Sequence, residues 1–198
     1  LTFTQSGAYY IIVTDAAGHV VTSDPMTVSI QQDLVAPTVR LSAASNGAKT
    51  LTIHVSVLEE GGAPPSVTIE GGGNPAVALT PDGDGVYTGT FIASTAGTYT
   101  VTATDAANNT GSAHITVHSV MFDGEGHTVP PQLVVSGDYA TRPADPTRAG
   151  YTFAGWYQNG TAYDFRAAVT ADLTIAAMWT AIPAAAPAVS AGNDVTQV

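Results

Sequence analysis

Two histidines four residues apart, His114 and His118, have the spacing that helical zinc sites use. They lie in the stretch HITVH, where Ile115 and Val117 alternate with them as in a β-strand. On a strand the two rings share one face but lie about 13 Å apart, at about 3.3 Å per residue. Zinc needs each nitrogen within about 2.1 Å of one ion. We therefore expect two solvent-exposed histidines and no zinc site.

Four aspartates are candidate calcium ligands, because Ca²⁺ prefers carboxylate and other oxygen ligands. Asp82 and Asp84 lie in PDGDG, which is too short for the twelve-residue loop of an EF-hand and is typical of a hairpin turn. Asp15 and Asp105 begin equivalent turns, each near a predicted domain end, where a bound ion would stiffen a chain of domains. We predict turns at all four positions, with calcium binding as the alternative hypothesis.

Glu59 and Glu60 are the only adjacent acidic residues. Neighbours on a strand point to opposite faces, so the two carboxylates cannot flank one glycosidic bond. We expect them at the solvent-exposed end of a strand. The sequence has no Gly-x-Ser-x-Gly elbow, phosphate-binding loop or dinucleotide fingerprint. These observations predict that the segment is not an enzyme and that it has neither catalytic nor cofactor-binding residues.

The composition argues against two classes of partner. Among the 198 residues, 16 acidic and 5 basic side chains give a net charge of −11. Nucleic acids and anionic membranes attract clustered Lys and Arg, so neither is an expected partner. The absence of cysteine excludes disulfides and thiolate metal sites. No apolar run reaches the roughly 18 residues of a transmembrane helix. The start, LTFTQSGAYY, lacks signal-peptide features, and we expect a piece of a longer protein.

The elements that would position these residues are strands. Leu51, Ile53, Val55 and Val57 alternate with polar residues, which is the period of a strand with one buried face. About seven short strands within residues 36–118 are the pattern of a β-sandwich. A Pro/Ala-rich linker is expected at 181–198.

Residues 7–30 repeat part of this region at an offset of 90, because Gly7, Tyr9, Thr14 and Asp15 correspond to Gly97, Tyr99, Thr104 and Asp105. The segment around Gly97 resembles the bacterial immunoglobulin-like domains of secreted and surface proteins. In that family a Gly-x-Tyr strand leads into an Asp-Ala-Ala-Gly-Asn turn, and here residues 105–109 fit this pattern except that Asn108 stands at the usual glycine. The resemblance implies an immunoglobulin-like sandwich at 36–118, with residues 1–33 as the C-terminal strands of a truncated copy. Lys49, the only lysine, could form an isopeptide crosslink as in some stalk domains, but its place at a strand start favours exposure.

Residues 119–180 differ in character, because they hold nine of the fifteen aromatic residues. The string RPADPTRAGYTFAGWY (142–157) is followed by YDF (163–165) and by a strand that ends at Trp179. The segment resembles the Listeria–Bacteroides repeat, also called the internalin B-repeat family. The resemblance implies a small β-grasp-like domain. The start departs from the family pattern, since Gly124 and Gly126 are separated by Glu125. Asn159-Gly160 predicts a hairpin tip.

Together the two resemblances imply a non-catalytic stalk or spacer, of an adhesin-like kind, in a multi-domain bacterial surface or secreted protein. Its expected partners are the neighbouring domains of its own chain and a host or cell-wall glycan or protein. The alternative is a carbohydrate-binding accessory region of a secreted polysaccharide-degrading enzyme. Trp156 and Tyr157 are adjacent, so one should point inward and the other outward. Tyr157 is the predicted ligand contact.

Overall fold

The computed structural model describes residues 2, 4–59, 65–71, 80–81 and 85–184. Within these residues the chain forms strands and turns with no helix, which confirms the predicted all-β class. None of them, accordingly, lies in a helix able to cross a membrane. The predicted turn of Asp82 and Asp84 lies outside the described residues, as does most of the predicted linker.

The N-terminal part is a β-hairpin. Its strands are β1 (Gly7–Tyr9), β2 (Ile12–Thr14), β3 (Val20–Thr22) and β4 (Met26–Val28). β2 pairs with β3 next to the turn, and β1 pairs with β4 at the open end, both antiparallel. Its β-branched side chains favour strands, yet Ile11 is 60% exposed and Val13 is 62% exposed. No further strand pairs with this hairpin among the described residues.

The next seven strands form two sheets. They are β5 (Thr38–Ser42), β6 (Leu51–Leu58), β7 (Ser66–Glu70), β8 (Thr80–Pro81), β9 (Val86–Ala93), β10 (Gly97–Thr104) and β11 (Thr110–Asp123). One sheet has the order β5-β6-β9-β8, and the other contains β11-β10-β7. Every neighbouring pair in these orders is antiparallel.

One apolar core, which we call the first core, lies between these two sheets. The alternation of β6 places Leu51, Ile53, Val55 and Val57 inside, each at most 1% exposed, as its period of two predicts. The second sheet contributes side chains such as Tyr99 to the same cluster. The predicted two-layer packing of residues 36–118 is therefore present, whereas its immunoglobulin-like identity stays a prediction.

The last four strands surround a second core. They are β12 (Gln132–Val135), β13 (Tyr151–Gln158), β14 (Thr161–Ala162) and β15 (Leu173–Ala181). β15 pairs antiparallel with β13 and parallel with β11. Phe122, Trp156 and Ile175 lie in this core. Asn159 and Gly160 have φ of 50° and 81° between paired strands, so the predicted hairpin tip is confirmed. The β-grasp-like assignment stays a prediction.

The boundary predicted between residues 118 and 119 falls inside one strand. β11 pairs with β10 over its first half and with β15 over its last four residues, Val120–Asp123. The two parts of the chain therefore share a strand at the place where the sequence predicted one domain to end and the next to begin.

Candidate functional site

The turn that begins at Asp105 is held by the aspartate itself. Its Oδ1 accepts hydrogen bonds from the backbone N–H groups of Ala107 and Asn109, both at 2.8 Å, and its Oδ2 accepts one from Asn109 Nδ2 at 2.8 Å. Burial raises the pKa of the Asp105 carboxyl, but the hydrogen bonds from Asn109 and from the turn's backbone outweigh it and lower the pKa overall. The carboxylate therefore stays ionised and closes the turn.

The turn at Asp15 has the same geometry. Asp15 Oδ1 accepts hydrogen bonds from the N–H groups of Ala17 and His19, both at 2.9 Å, and His19 Nδ1 lies 2.8 Å from Oδ2. The hydrogen bond with the His19 side chain is the main cause that lowers the pKa of Asp15. The predicted equivalence of the two turns is confirmed, with His19 in the place of Asn109.

Asp105 also belongs to a cluster of three carboxylates. One carboxylate oxygen each of Asp33, Glu59 and Asp105 lies within 4.8 Å of the other two. Glu59 is 3% exposed and Asp105 is 7% exposed, whereas Asp33 lies at the surface. Three carboxylates at this separation repel one another unless protons or a cation offset their charge. Their oxygens are of the type that Ca²⁺ prefers.

The segment before β5 is fastened beside this cluster. Asn109 Nδ2 donates hydrogen bonds to the backbone oxygens of Asp33, at 3.2 Å, and of Val35, at 3.5 Å. A Cβ on Gly111 would lie only 1.7 Å from the Pro37 carbonyl oxygen, so glycine is the residue that admits this approach. The turn and the connecting segment are thus fitted to each other.

The expectation of an exposed Glu59 is wrong. Residues 51, 53, 55 and 57 point inward, and Glu59 continues the same inward series just past the end of β6. Of the four predicted calcium ligands, the structure places Asp105 in the cluster. Asp15 lies in the equivalent turn of the hairpin, and Asp82 and Asp84 lie outside the described residues. Sequence reasoning missed Asp33 because only the folded chain brings it near Asp105.

The second candidate site is the wall between the two cores, which consists of β11 and β12. β12 pairs antiparallel with Val117–Val120 of β11. On β12, Leu133 lies in the first core and Val134 in the second. On β11, Val117 lies in the first core and Val120 in the second. Each strand therefore presents one face to each core.

Polar contacts close the edge of this wall. Asp138 Oδ2 accepts hydrogen bonds from Ser45 Oγ at 2.8 Å and from Ser45 N at 3.2 Å, and Ser45 Oγ in turn accepts one from Val135 N at 2.9 Å. Leu133 N donates to the Ala48 carbonyl at 2.8 Å. Residues far apart in the chain are thereby bonded across the boundary between its two parts.

The histidine prediction is half wrong. His114 is exposed as predicted, but the His118 side chain is only 14% exposed, because the segment around Asp172 covers it. His118 Nδ1 lies 3.6 Å from Asp172 Oδ1. Lys49 is exposed, in accordance with its place next to β6.

The aromatic residues of the last four strands mostly pack on one another. Trp156 is 3% exposed and meets the rings of Phe122 and Phe153 edge-on at 5.3 and 5.5 Å. This confirms the inward orientation expected for one of the two adjacent aromatics. Tyr157 is half-buried, and a Cβ on Gly155 would lie 3.4 Å from its ring. Ligand contact by Tyr157 stays a prediction.

Comparisons with known proteins cover part of the chain. Residues 118–178 match the family model of the Listeria-Bacteroides repeat domain. Internalin H of Listeria monocytogenes is similar, with 33% identity over 121 residues, which are 57% of this chain and 22% of internalin H. The chain thus spans about a fifth of this curated relative. No solved structure matches the chain.

Proposed function

We propose that the chain is a non-catalytic spacer segment of a multi-domain bacterial surface or secreted protein, in which two fused domains act as one rigid rod. The Listeria-Bacteroides repeat match and the similarity to internalin H support a repeat region of a surface protein. The rod's partners are the neighbouring domains of its own chain, with a glycan or protein of a host or cell wall beyond them.

Two features support an immunoglobulin-like identity for residues 36–118. The strand orders β5-β6-β9-β8 and β11-β10-β7 are those of seven-stranded immunoglobulin sandwiches. Tyr99 donates its hydroxyl hydrogen to the Thr95 carbonyl at 2.6 Å, and such a bond to backbone just upstream is a hallmark of these domains. We assign residues 119–180 to the repeat domain with a β-grasp-like fold.

Residues 1–33 are the last strands of a preceding copy in this proposal. Tyr9 donates its hydroxyl hydrogen to the Gln5 carbonyl at 2.7 Å, as Tyr99 does to Thr95. The exposed apolar face of the hairpin corresponds to the face that β10 and β11 bury. The missing sheet would be supplied by an upstream segment of a longer chain.

The shared wall of β11 and β12 is the observation that carries the proposal. A flexible connection lets domains move independently, whereas here Leu133 and Val134 are adjacent residues buried in different cores. Movement of one domain against the other would expose apolar side chains on both sides of the wall. Rigidity therefore follows from packing.

Spin labels test this rigidity directly, and the absence of cysteine makes labelling specific. Thr52→Cys and Thr152→Cys label exposed positions in the two domains, and Thr52→Cys with Ser112→Cys is the matched pair within one domain. We expect equally narrow distance distributions by double electron–electron resonance. A broad or two-peaked distribution for the first pair alone would contradict the rigid rod.

Leu133→Ala provides a second test. Truncation of a buried leucine costs about 2–5 kcal/mol. Because both cores share β12, we expect the part of the chain between Thr38 and Ala181 to unfold in a single transition in urea, in the variant as in the wild type. Met178→Ala, at a 42% exposed position, is the control and should change little. Two separate transitions in the wild-type protein would argue for independent domains.

A calcium ion at Asp33, Glu59 and Asp105 is part of the same proposal. It would offset the charge of the cluster and fix the segment before β5 to the sandwich. We expect calcium to raise the melting temperature and Asp105→Asn to remove most of that rise, while Asp15→Asn leaves it intact. A melting curve that is unchanged by calcium and by chelator would reject the ion.

A further inference from the structure

The outer face of the β5-β6-β9-β8 sheet is polar throughout its centre. Arg40 of β5 stands opposite Ser56 of β6, Ser56 opposite Thr88 of β9, and Thr88 opposite Thr80 of β8. This row crosses all four strands, which lie about 4.8 Å apart. A second, shorter row runs beside it and consists of Ser42, His54 and Thr90.

The two rows line a cavity of about 1050 Å³. This volume lies slightly above the roughly 300–1000 Å³ range of small-molecule sites. The described part of its lining offers hydroxyl groups from both rows and the imidazoles of His54 and His114. A hydroxyl donates and accepts hydrogen bonds, so the surface matches a ligand that itself carries many hydroxyl groups.

The charge of this cavity differs from that of the whole chain. Acidic residues outnumber basic ones by 16 to 5 in the sequence, yet none of the described residues that line the cavity carries a carboxylate. Arg40 is exposed and makes no ion pair with any described residue. Among the described residues nothing competes with a ligand for its guanidinium, which prefers carboxylates and binds them through two parallel hydrogen bonds.

We propose that this face binds an acidic polysaccharide, with Arg40 on a uronate carboxylate and the serine and threonine rows on the sugar hydroxyls. Acidic residues that lie more than about 8 Å from the ligand oppose it only weakly, because charges are screened over that distance at physiological salt. The site lies on the sandwich, away from Tyr157, and goes beyond the spacer function.

Other ligand classes fit the face less well. An extended peptide adds to an open sheet edge, and on the edge strand β5 it would leave unused the hydroxyl groups of Ser56 and Thr88, which lie on strands that are paired on both sides. A neutral sugar gains most of its affinity by stacking on aromatic rings, and no phenylalanine, tyrosine or tryptophan lines the described part of the cavity. Charge and hydroxyl groups together therefore favour a uronic-acid polymer.

Affinity electrophoresis of the 198-residue chain tests the proposal with three probes, which are polygalacturonate, dextran sulfate and neutral dextran. We expect polygalacturonate to retard the protein most strongly. Arg40→Gln should weaken this binding by at least about tenfold, because a charge-assisted hydrogen bond is lost. Ser56→Ala and Thr88→Ala should each weaken it by a smaller factor.

Arg166→Gln is the matched control, since it removes an exposed arginine of the other domain. It should leave polygalacturonate binding unchanged, and melting curves should show that both arginine variants are folded. Absence of polygalacturonate binding, or equal loss in the two variants, would overturn the proposal. Equal or stronger retardation by dextran sulfate or by neutral dextran would overturn the assignment of a carboxylate sugar.

Discussion

The hairpin of β1–β4 and the hairpin of β10–β11 have the same local structure and opposite surroundings. In both hairpins an aspartate closes the turn, and a tyrosine of the first strand donates a hydrogen bond to the backbone carbonyl four residues upstream. Yet Ile11 and Val13 are 60% and 62% exposed, whereas their counterparts Val101 and Ala103 are fully buried. The two hairpins thus share their turn chemistry, whereas burial depends on a sheet contributed by a distant part of the chain.

The largest difference is expected from a charge placed at equivalent positions. Val101→Asp puts an unpaired carboxylate into the first core, and a cost of more than about 4 kcal/mol should abolish cooperative folding. Ile11→Asp should change the free energy of unfolding by less than about 0.5 kcal/mol. Urea unfolding measures both, and a strong effect of Ile11→Asp would mean that the hairpin is packed in solution.

The next difference concerns an equivalent position at which the two copies of the repeat carry different residues. Val21 corresponds to Gly111, where a Cβ would collide with the Pro37 carbonyl oxygen. Gly111→Val should therefore cost about 1–3 kcal/mol or more as the connecting segment is displaced. Val21→Gly should cost no more than about 1 kcal/mol. Similar losses in the two variants would show that the connecting segment does not press on Gly111.

A smaller difference should appear in acid. The pKa of both Asp15 and Asp105 is lowered, so each ionised carboxylate stabilises its folded turn above the ordinary value of 3.8, and this stabilisation is lost as the pH falls through the lowered pKa. We expect the acid-induced loss of stability to shrink in Asp105→Asn and to persist in Asp15→Asn. The reason is that the turn at Asp105 is attached to a packed core, whereas the turn at Asp15 is not. Urea titrations at a series of acidic pH values would measure this loss. The same pH dependence of the free energy of unfolding in the two variants would contradict the expected difference between the turns.

The smallest difference should come from the two tyrosine hydroxyls. Tyr99→Phe leaves the Thr95 carbonyl without its donor in a part-buried setting and should cost about 0.5–1.5 kcal/mol. Tyr9→Phe, at the exposed hairpin, should cost less, because water can replace the lost bond at the Gln5 carbonyl. Thermal melts of the two variants and the wild type would measure this difference. An equal or larger loss of melting temperature in Tyr9→Phe would contradict it.

Features that depend on neighbouring residues were predictable from the sequence. The aspartate turns, the inward series of β6 and the hairpin tip at Asn159 and Gly160 follow from local rules and were found. The burial of Glu59 was also within reach, because the alternation of β6 extends to it. It was overlooked because a carboxylate is normally placed outside.

Features that depend on distant contacts were not predictable. Asp33 meets Asp105 only because Asn109 fastens the connecting segment. His118 is covered only because the segment at Asp172 folds over it. The only sign in the sequence that β12 contributes to two cores is a run of three apolar residues, Leu133 to Val135. The residue period of one strand does not reveal that its two faces are buried in different cores.

The shared strand also determines how the molecule would respond to tension. β11 and β15 run parallel where Val120–Asp123 meet Leu173–Ala176. A pull on the two ends of the chain draws β11 toward its start and β15 toward its end, so the bonds between them are loaded side by side in shear. Bonds loaded together must break together, whereas a hairpin pulled open loses them one at a time. The junction between the domains would then bear force well, and in a stretched chain we expect it to yield after the isolated hairpin at 7–28.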